Sequence, residues 1–124
     1  MLVLGGMTMK MIHVTIQTKS FDKELEFYQD VVGLQIMTDL RPMGRNMIFL
    51  ADRQGDTEIE IIENPNADNS GNEHFSIGFK TDDVNAKHSE LEEKGFDVSP
   101  MINPMPQVQF FFVKDPAGVS VQFM

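Results

Sequence analysis

The chain has no cysteine. That excludes disulfides, thiolate metal ligands and a cysteine nucleophile, and it fits a reducing compartment. Basic residues are scarce: ten Lys and Arg stand against nineteen Asp and Glu, a net charge of −9. Nucleic-acid binding needs a cationic patch that displaces counterions, and an anionic membrane repels an acidic surface. Neither partner is expected. No apolar run approaches the ~20 residues that span a bilayer. The opening MLVLGGMTMK is too short and too weakly basic for a secretory signal. Residues 1–9 read as a frayed leader, and a cytoplasmic location is the default expectation. What remains, residues 10–124, has the length and apolar content of one globular domain.

The informative content is alternation. In Lys10 to Gln17 (KMIHVTIQ), Ile12, Val14 and Ile16 form one face and Met11, His13, Thr15 and Gln17 the other. Side chains on a strand point alternately to opposite faces, so this is a half-buried strand. Ser20 then opens a helix, with Asp22 and Glu24 in its first turn and Phe21, Leu25, Tyr28 and Val32 as its apolar stripe. Gly33 stops it. Strands follow at Leu34–Thr38, Asn46–Ala51 and Thr57–Glu63. After the turn-rich Asn64 to Asn72 (NPNADNSGN) the order restarts. Glu73–Lys80 alternates, a helix capped by Asp82 or Asp83 carries Val84, His88 and Leu91 to a stop at Gly95, and strands follow at Phe96–Ser99, Val108–Val113 and Val119–Phe123. Pro100–Pro106 reads as a loop.

Each half is thus strand, helix, strand, strand, strand: residues 10–66 and then 67–124. An internal repeat governs the fold assignment. The expected class is α+β, two βαβββ modules forming a cupped mixed sheet. Four metal-capable residues sit on the polar faces of four different strands: His13, Glu60, His74 and Gln122. His74 follows His13 by 61 residues and Gln122 follows Glu60 by 62, the same offset that separates Gly33 from Gly95. Two imidazoles and a carboxylate suit a borderline divalent ion; Zn, Ni, Co, Fe and Mn are not distinguished.

The strand IHVTIQ, the helix FDKELEFYQDVVGLQI, the strand TEIEIIENP, the restart EHFSIGF and the closing DPAGVSVQFM together resemble the vicinal oxygen chelate superfamily, which includes glyoxalases, bleomycin resistance proteins and dioxygenases. The pattern is most similar to glyoxalase I-type enzymes. The resemblance implies a cupped sheet holding one divalent metal, with His13, Glu60, His74 and Gln122 at the ligand positions. It implies a homodimer whose metal sites lie between chains, the first-half ligands of one facing the second-half ligands of the other. It implies proton transfer between adjacent carbons of a hemithioacetal, or a similar small carbonyl substrate, through an ene-diolate. A ligand carboxylate is the shuttle. The usual last-strand ligand is Glu; Gln122 takes no proton, which leaves Glu60 as ligand and sole shuttle. The family's thiol-contacting Arg on the first strand falls on Gln17, its Asn after the fourth strand is Asn64, and its Lys-bearing second-half loop becomes Pro100–Pro106 without Lys. The expected substrate then carries a thiol other than glutathione, or no thiol at all. The alternatives are another metalloenzyme of the superfamily, a dioxygenase or epimerase, and a metal-free binder of small molecules such as a resistance protein.

Overall fold

The computed structural model describes residues 8–68 and 72–124. Residues 1–7 of the expected leader lie outside them; Thr8 and Met9 are exposed and carry no regular structure. The first module runs β1 (His13–Thr18), α1 (Phe21–Glu26), β2 (Gln35–Asp39), β3 (Met47–Ala51) and β4 (Glu58–Glu63). The second runs β5 (Ser76–Phe79), α2 (Val84–Glu93), β6 (Ile102–Met105), β7 (Val108–Lys114) and β8 (Ser120–Phe123). Each forms a four-stranded mixed sheet, in the orders β1-β4-β3-β2 and β5-β8-β7-β6. The first strand of each module pairs parallel with its last strand, and the remaining pairs are antiparallel. A parallel pair needs a long crossover, which the helix and hairpin provide. Among the described residues no helix is long and apolar enough to cross a membrane.

Three local expectations are corrected. The Pro100–Pro106 loop contains β6, while Phe96–Ser99 makes only one bridge, Val98 to Val113. β6 is an edge strand, where Pro104 can lack an amide donor without breaking an inner ladder. The restart strand covers only Ser76–Phe79, because β8 offers partners only from Ser120 onward. His74 instead ends a 3-10 turn, Asn72–His74, pinned by the Asn72 side-chain amide donating to Ala117 O at 2.8 Å. Finally, α1 widens into a π-helical stretch at Phe27–Val32 before Gly33 (φ +87°). The wider turn rotates the face, so Phe27 and Val31 are buried as well, while the expected Val32 is partly buried against the same core.

One apolar cluster joins the two sheets. Ile16, Ile48, Leu50, Ile59 and Ile61 come from the first; Phe111, Val113, Val121 and Phe123 come from the second. Helix α1 and its continuation carry the junction. Phe27 packs edge-on against Phe96, and Tyr28 lies against Phe79. Tyr28 Oη donates to Asp115 Oδ2 at 2.7 Å, and Asp115 Oδ1 accepts from Ala117 and Val119 N–H. Glu24, expected as a first-turn carboxylate facing the helix dipole, is completely buried here. Its Oε1 accepts from Ala117 N–H at 3.2 Å, and its Oε2 meets no hydrogen-bond partner among the described residues.

Burial, and then the negative charge of Asp115, push the Glu24 carboxyl up to about 9. Glu24 is therefore a neutral acid at physiological pH. Between the ordinary carboxylate range and pH 9 the folded chain holds a proton that the unfolded chain releases. Stability should fall across that window as pH rises, by up to about 1.4 kcal/mol per pH unit. Glu24→Gln keeps a neutral group of the same shape. Thermal melts at pH 5, 7 and 9 should show a flatter profile for the variant and a higher midpoint than wild type at pH 9. Parallel profiles would mean that Glu24 is ionised in the fold.

Candidate functional site

The parallel register of β1 with β4 sets His13 beside Glu58, Thr15 beside Glu60 and Gln17 beside Ile62. All six side chains share the face opposite the core, since Val14, Ile16, Ile59 and Ile61 take the other. β3 adds Phe49 beside Glu60 and Met47 beside Ile62. The result is a shallow floor with polar groups at one end and Met47 and Ile62 at the other.

At its polar end, His13 Nε2 stands 3.6 Å from Glu60 Oε1. The imidazole is 37% exposed while the carboxylate is only 10% exposed, so water reaches the pair from the histidine side. Thr15 Oγ1 donates a short hydrogen bond to Glu60 Oε1. Among the described residues no hydrogen bond forms to Glu60 Oε2, and that atom is not sealed from solvent. Phe49 meets the His13 ring edge-on, with centroids 5.7 Å apart. Thr15 and Phe49 were missed as site residues in the sequence. The alternation that exposed His13 also placed Thr15 on its face, but only the register shows that Thr15 meets Glu60.

The donor spacing admits a metal ion. Ligands held at roughly 2.0–2.2 Å from one ion stand about 3–3.7 Å apart across angles of ~90–120°, and the His13–Glu60 gap falls in that range. A carboxylate oxygen has capacity for both a metal and the Thr15 hydroxyl, the usual support for a ligating carboxylate.

In the second module Gln122 lies in register with Gly78 on one side and Phe112 on the other. A Cβ at Gly78 would stand 3.5 Å from Gln122 Oε1, an ordinary van der Waals contact, so the amide oxygen lies directly over this glycine. His74, Phe75, Ser76, Phe112 and Ser120 line a cavity of about 340 Å³ beside it. Another cavity, between Phe27, Val31, Phe96 and Pro116, lies on the helical side and includes none of the candidate ligands.

The structure therefore brings His13 and Glu60 together on one sheet, sets Gln122 on the other, and leaves His74 in the 3-10 turn before β5. Among the described residues no three His, Asp or Glu side chains converge on one point. Of the expected substrate contacts, Asn64 is engaged within the chain: its Nδ2 donates to Gln17 Oε1 at 2.8 Å and its Oδ1 accepts from Asn66 N–H. Gln17 keeps its Nε2 donor for the face.

A model of the Glyoxalase/Bleomycin resistance protein/Dioxygenase superfamily matches residues 10–123. A lactoylglutathione lyase of Haemophilus influenzae is 27% identical, the match covering 94% of this chain and 92% of that protein. Among solved structures, the trypanothione-dependent glyoxalase I of Leishmania major superposes with a TM-score of 0.73 at 19% identity, covering 94% of this chain and 86% of that one. TnmS3, an antibiotic binding protein from Streptomyces, does so at 0.70 and 19% identity, covering 95% and 97%. These two likenesses concern the fold alone.

Proposed function

The chain belongs to the Glyoxalase/Bleomycin resistance protein/Dioxygenase superfamily, and we propose on that premise that it is a divalent-metal-dependent lyase of glyoxalase I type. It acts as a cytoplasmic homodimer on a hemithioacetal or similar small carbonyl compound. The observation that carries this reading is the His13–Glu60 pair, with Thr15 tied to one carboxylate oxygen and the other oxygen open. Similarity to a lactoylglutathione lyase over nearly the whole chain supports it.

His13 and Glu60 of one chain, with His74 and Gln122 of a second, would hold the ion. When bound, the ion supplies Lewis-acid stabilisation of the charge that develops on the substrate oxygens. The chain's own chemistry centres on Glu60. Thr15 fixes its Oε1, and this sets the direction of Oε2. Oε2 takes the proton from one substrate carbon and returns it to the neighbouring carbon. Gln122 has no acid form, so no second shuttle competes. Phe49 and Phe112 flank the site with apolar surface, which keeps bulk water away from the transferred proton.

Three outcomes are expected. Apo-protein loaded with Zn²⁺, Ni²⁺, Co²⁺, Mn²⁺ or Fe²⁺ and dialysed should retain about one ion per chain by elemental analysis, and His13→Ala should retain none. Loss of retention in the wild-type chain would point instead to a metal-free small-molecule binder. Glu60→Gln should lower isomerase turnover by at least ~10²-fold; full activity would remove Glu60 as shuttle. Finally, His13→Ala and His74→Ala chains should each be inactive alone. Coexpressed in equal amounts they should recover roughly a quarter of the wild-type sites, because each mixed dimer rebuilds one intact site. No recovery on mixing would argue against a site shared between chains.

A further inference from the structure

The cavity on the helical side is built from both modules and from none of the candidate ligands. It holds about 420 Å³, within the ~300–1,000 Å³ usual for small-molecule pockets. One wall is a single stripe of the first helix and its continuation, at residues 23, 26, 27, 30 and 31, a spacing that keeps side chains on one face. The π-helical turn supplies Phe27, Asp30 and Val31 of that wall, and such turns recur at functional sites. The other wall is Lys94 and Phe96, which follow α2, and Pro116 in the β7–β8 turn.

The floor is apolar. Phe27 meets Phe96 edge-on, with ring centroids 6.3 Å apart, and a ligand ring or chain can extend that contact. Pro116 has no N–H to offer. The groups on either side of it are engaged elsewhere: Asp115 accepts from Tyr28, Ala117 and Val119, and Ala117 N–H also donates to Glu24. Polar recognition therefore falls to the charged rim. Lys94 is held by Glu90 at 2.9 Å. Lys23 lies at the end where the Pro116 turn meets the first helical turn through Glu24 and Ala117. Glu26 and Asp30 make no hydrogen bond or ion pair among the described residues. Asp30 lies seven residues beyond Lys23, roughly 10 Å along a helix. One end of the cavity thus presents two unpaired carboxylates beside an aromatic floor. The net charge of −9 adds to the negative field there.

We propose that this cavity binds a small organic cation, an ammonium group on an aromatic or aliphatic body, with Glu26 and Asp30 holding the charge. The body lies on Phe27, Val31 and Phe96. The ammonium stays at the solvent rim, where a carboxylate pair attracts it without the cost of full desolvation. This site uses no residue of the proposed lyase chemistry, so the two assignments stand or fall separately.

The test is a titration of the full-length, ¹⁵N-labelled chain with three probes of one size, followed by amide shifts. The probes are 2-phenylethylammonium, the neutral 2-phenylethanol and the anionic 3-phenylpropionate. The ammonium should bind roughly three- to tenfold more tightly than the alcohol, as two exposed charge contacts allow, and the carboxylate most weakly. The preference should weaken as salt rises. Shifts should centre on Phe27, Val31 and Phe96. The Glu26→Gln, Asp30→Asn double variant, altered only at exposed positions, should bind the ammonium no better than the alcohol. Glu60→Gln should leave the preference in place. Binding of none of the probes, equal binding of all three to wild type, a preference that survives the double variant, or shifts centred on Phe112 and Gln122 overturns the proposal.

Discussion

The candidate site depends on the parallel pairing of β1 with β4. Parallel partners in register show the same face, so Thr15 and Glu60 meet side by side while Ile16 and Ile61 enter the core together. A slip of one residue would reverse both faces at once, burying His13 and exposing isoleucines. The apolar face therefore fixes the polar one. The His13–Glu60 gap and the Thr15 hydrogen bond are consequences of core packing, and the site needs no separate structural device to hold it.

That pairing demands a crossover, and the crossover has to be anchored. Helix α1 and its continuation lie between the sheets and are anchored by polar contacts as well as apolar ones. Tyr28, Asp115 and Glu24 gather where the β7–β8 turn meets the helix, and backbone amides of Ala117 and Val119 satisfy the Asp115 carboxylate. Tyr28 is held far from ionisation by burial and by the adjacent Asp115. Glu24 is kept neutral for the same reasons. Burying two carboxyl groups is costly unless one stays protonated. The Asp115–Ala117 turn docks on the helix through the Tyr28 and Glu24 hydrogen bonds, and it leads straight into β8 and Gln122.

Much of this was legible in the sequence. Period-two alternation in IHVTIQ and EIEII located β1 and β4 and their faces, and the repeated glycine stops revealed two modules. The misreadings have specific causes. Pro104 and Pro106 suggested a loop, yet proline is tolerated on an edge strand, and strand order cannot be read from composition. His74 sat in a run with strand-like alternation, but a strand needs a partner and β8 begins too late to supply one. Glu24 looked like a helix-dipole carboxylate because position in the first turn says nothing about what covers that turn. Thr15 was visible as a polar-face residue; its bond to Glu60 needed the register between segments 45 residues apart.

The two modules share a fold but divide the chemistry. The first contributes the carboxylate and the hydroxyl that steadies it. The second contributes an imidazole, a neutral amide, two serines and phenylalanine rings around a glycine gap. On the proposed reading, one carboxylate in place of two leaves a positive charge on a divalent ion uncompensated by its ligands. Such an ion is the stronger electrophile, since fewer anionic donors offset its field. The same substitution removes one proton acceptor. On that reading Gln122 would make the charge environment more demanding of an anionic reacting group and would assign the proton to Glu60 alone. The Gln122 position, which looks like a lost function when compared with a two-carboxylate site, would then be the residue that separates polarisation of the substrate from movement of its proton.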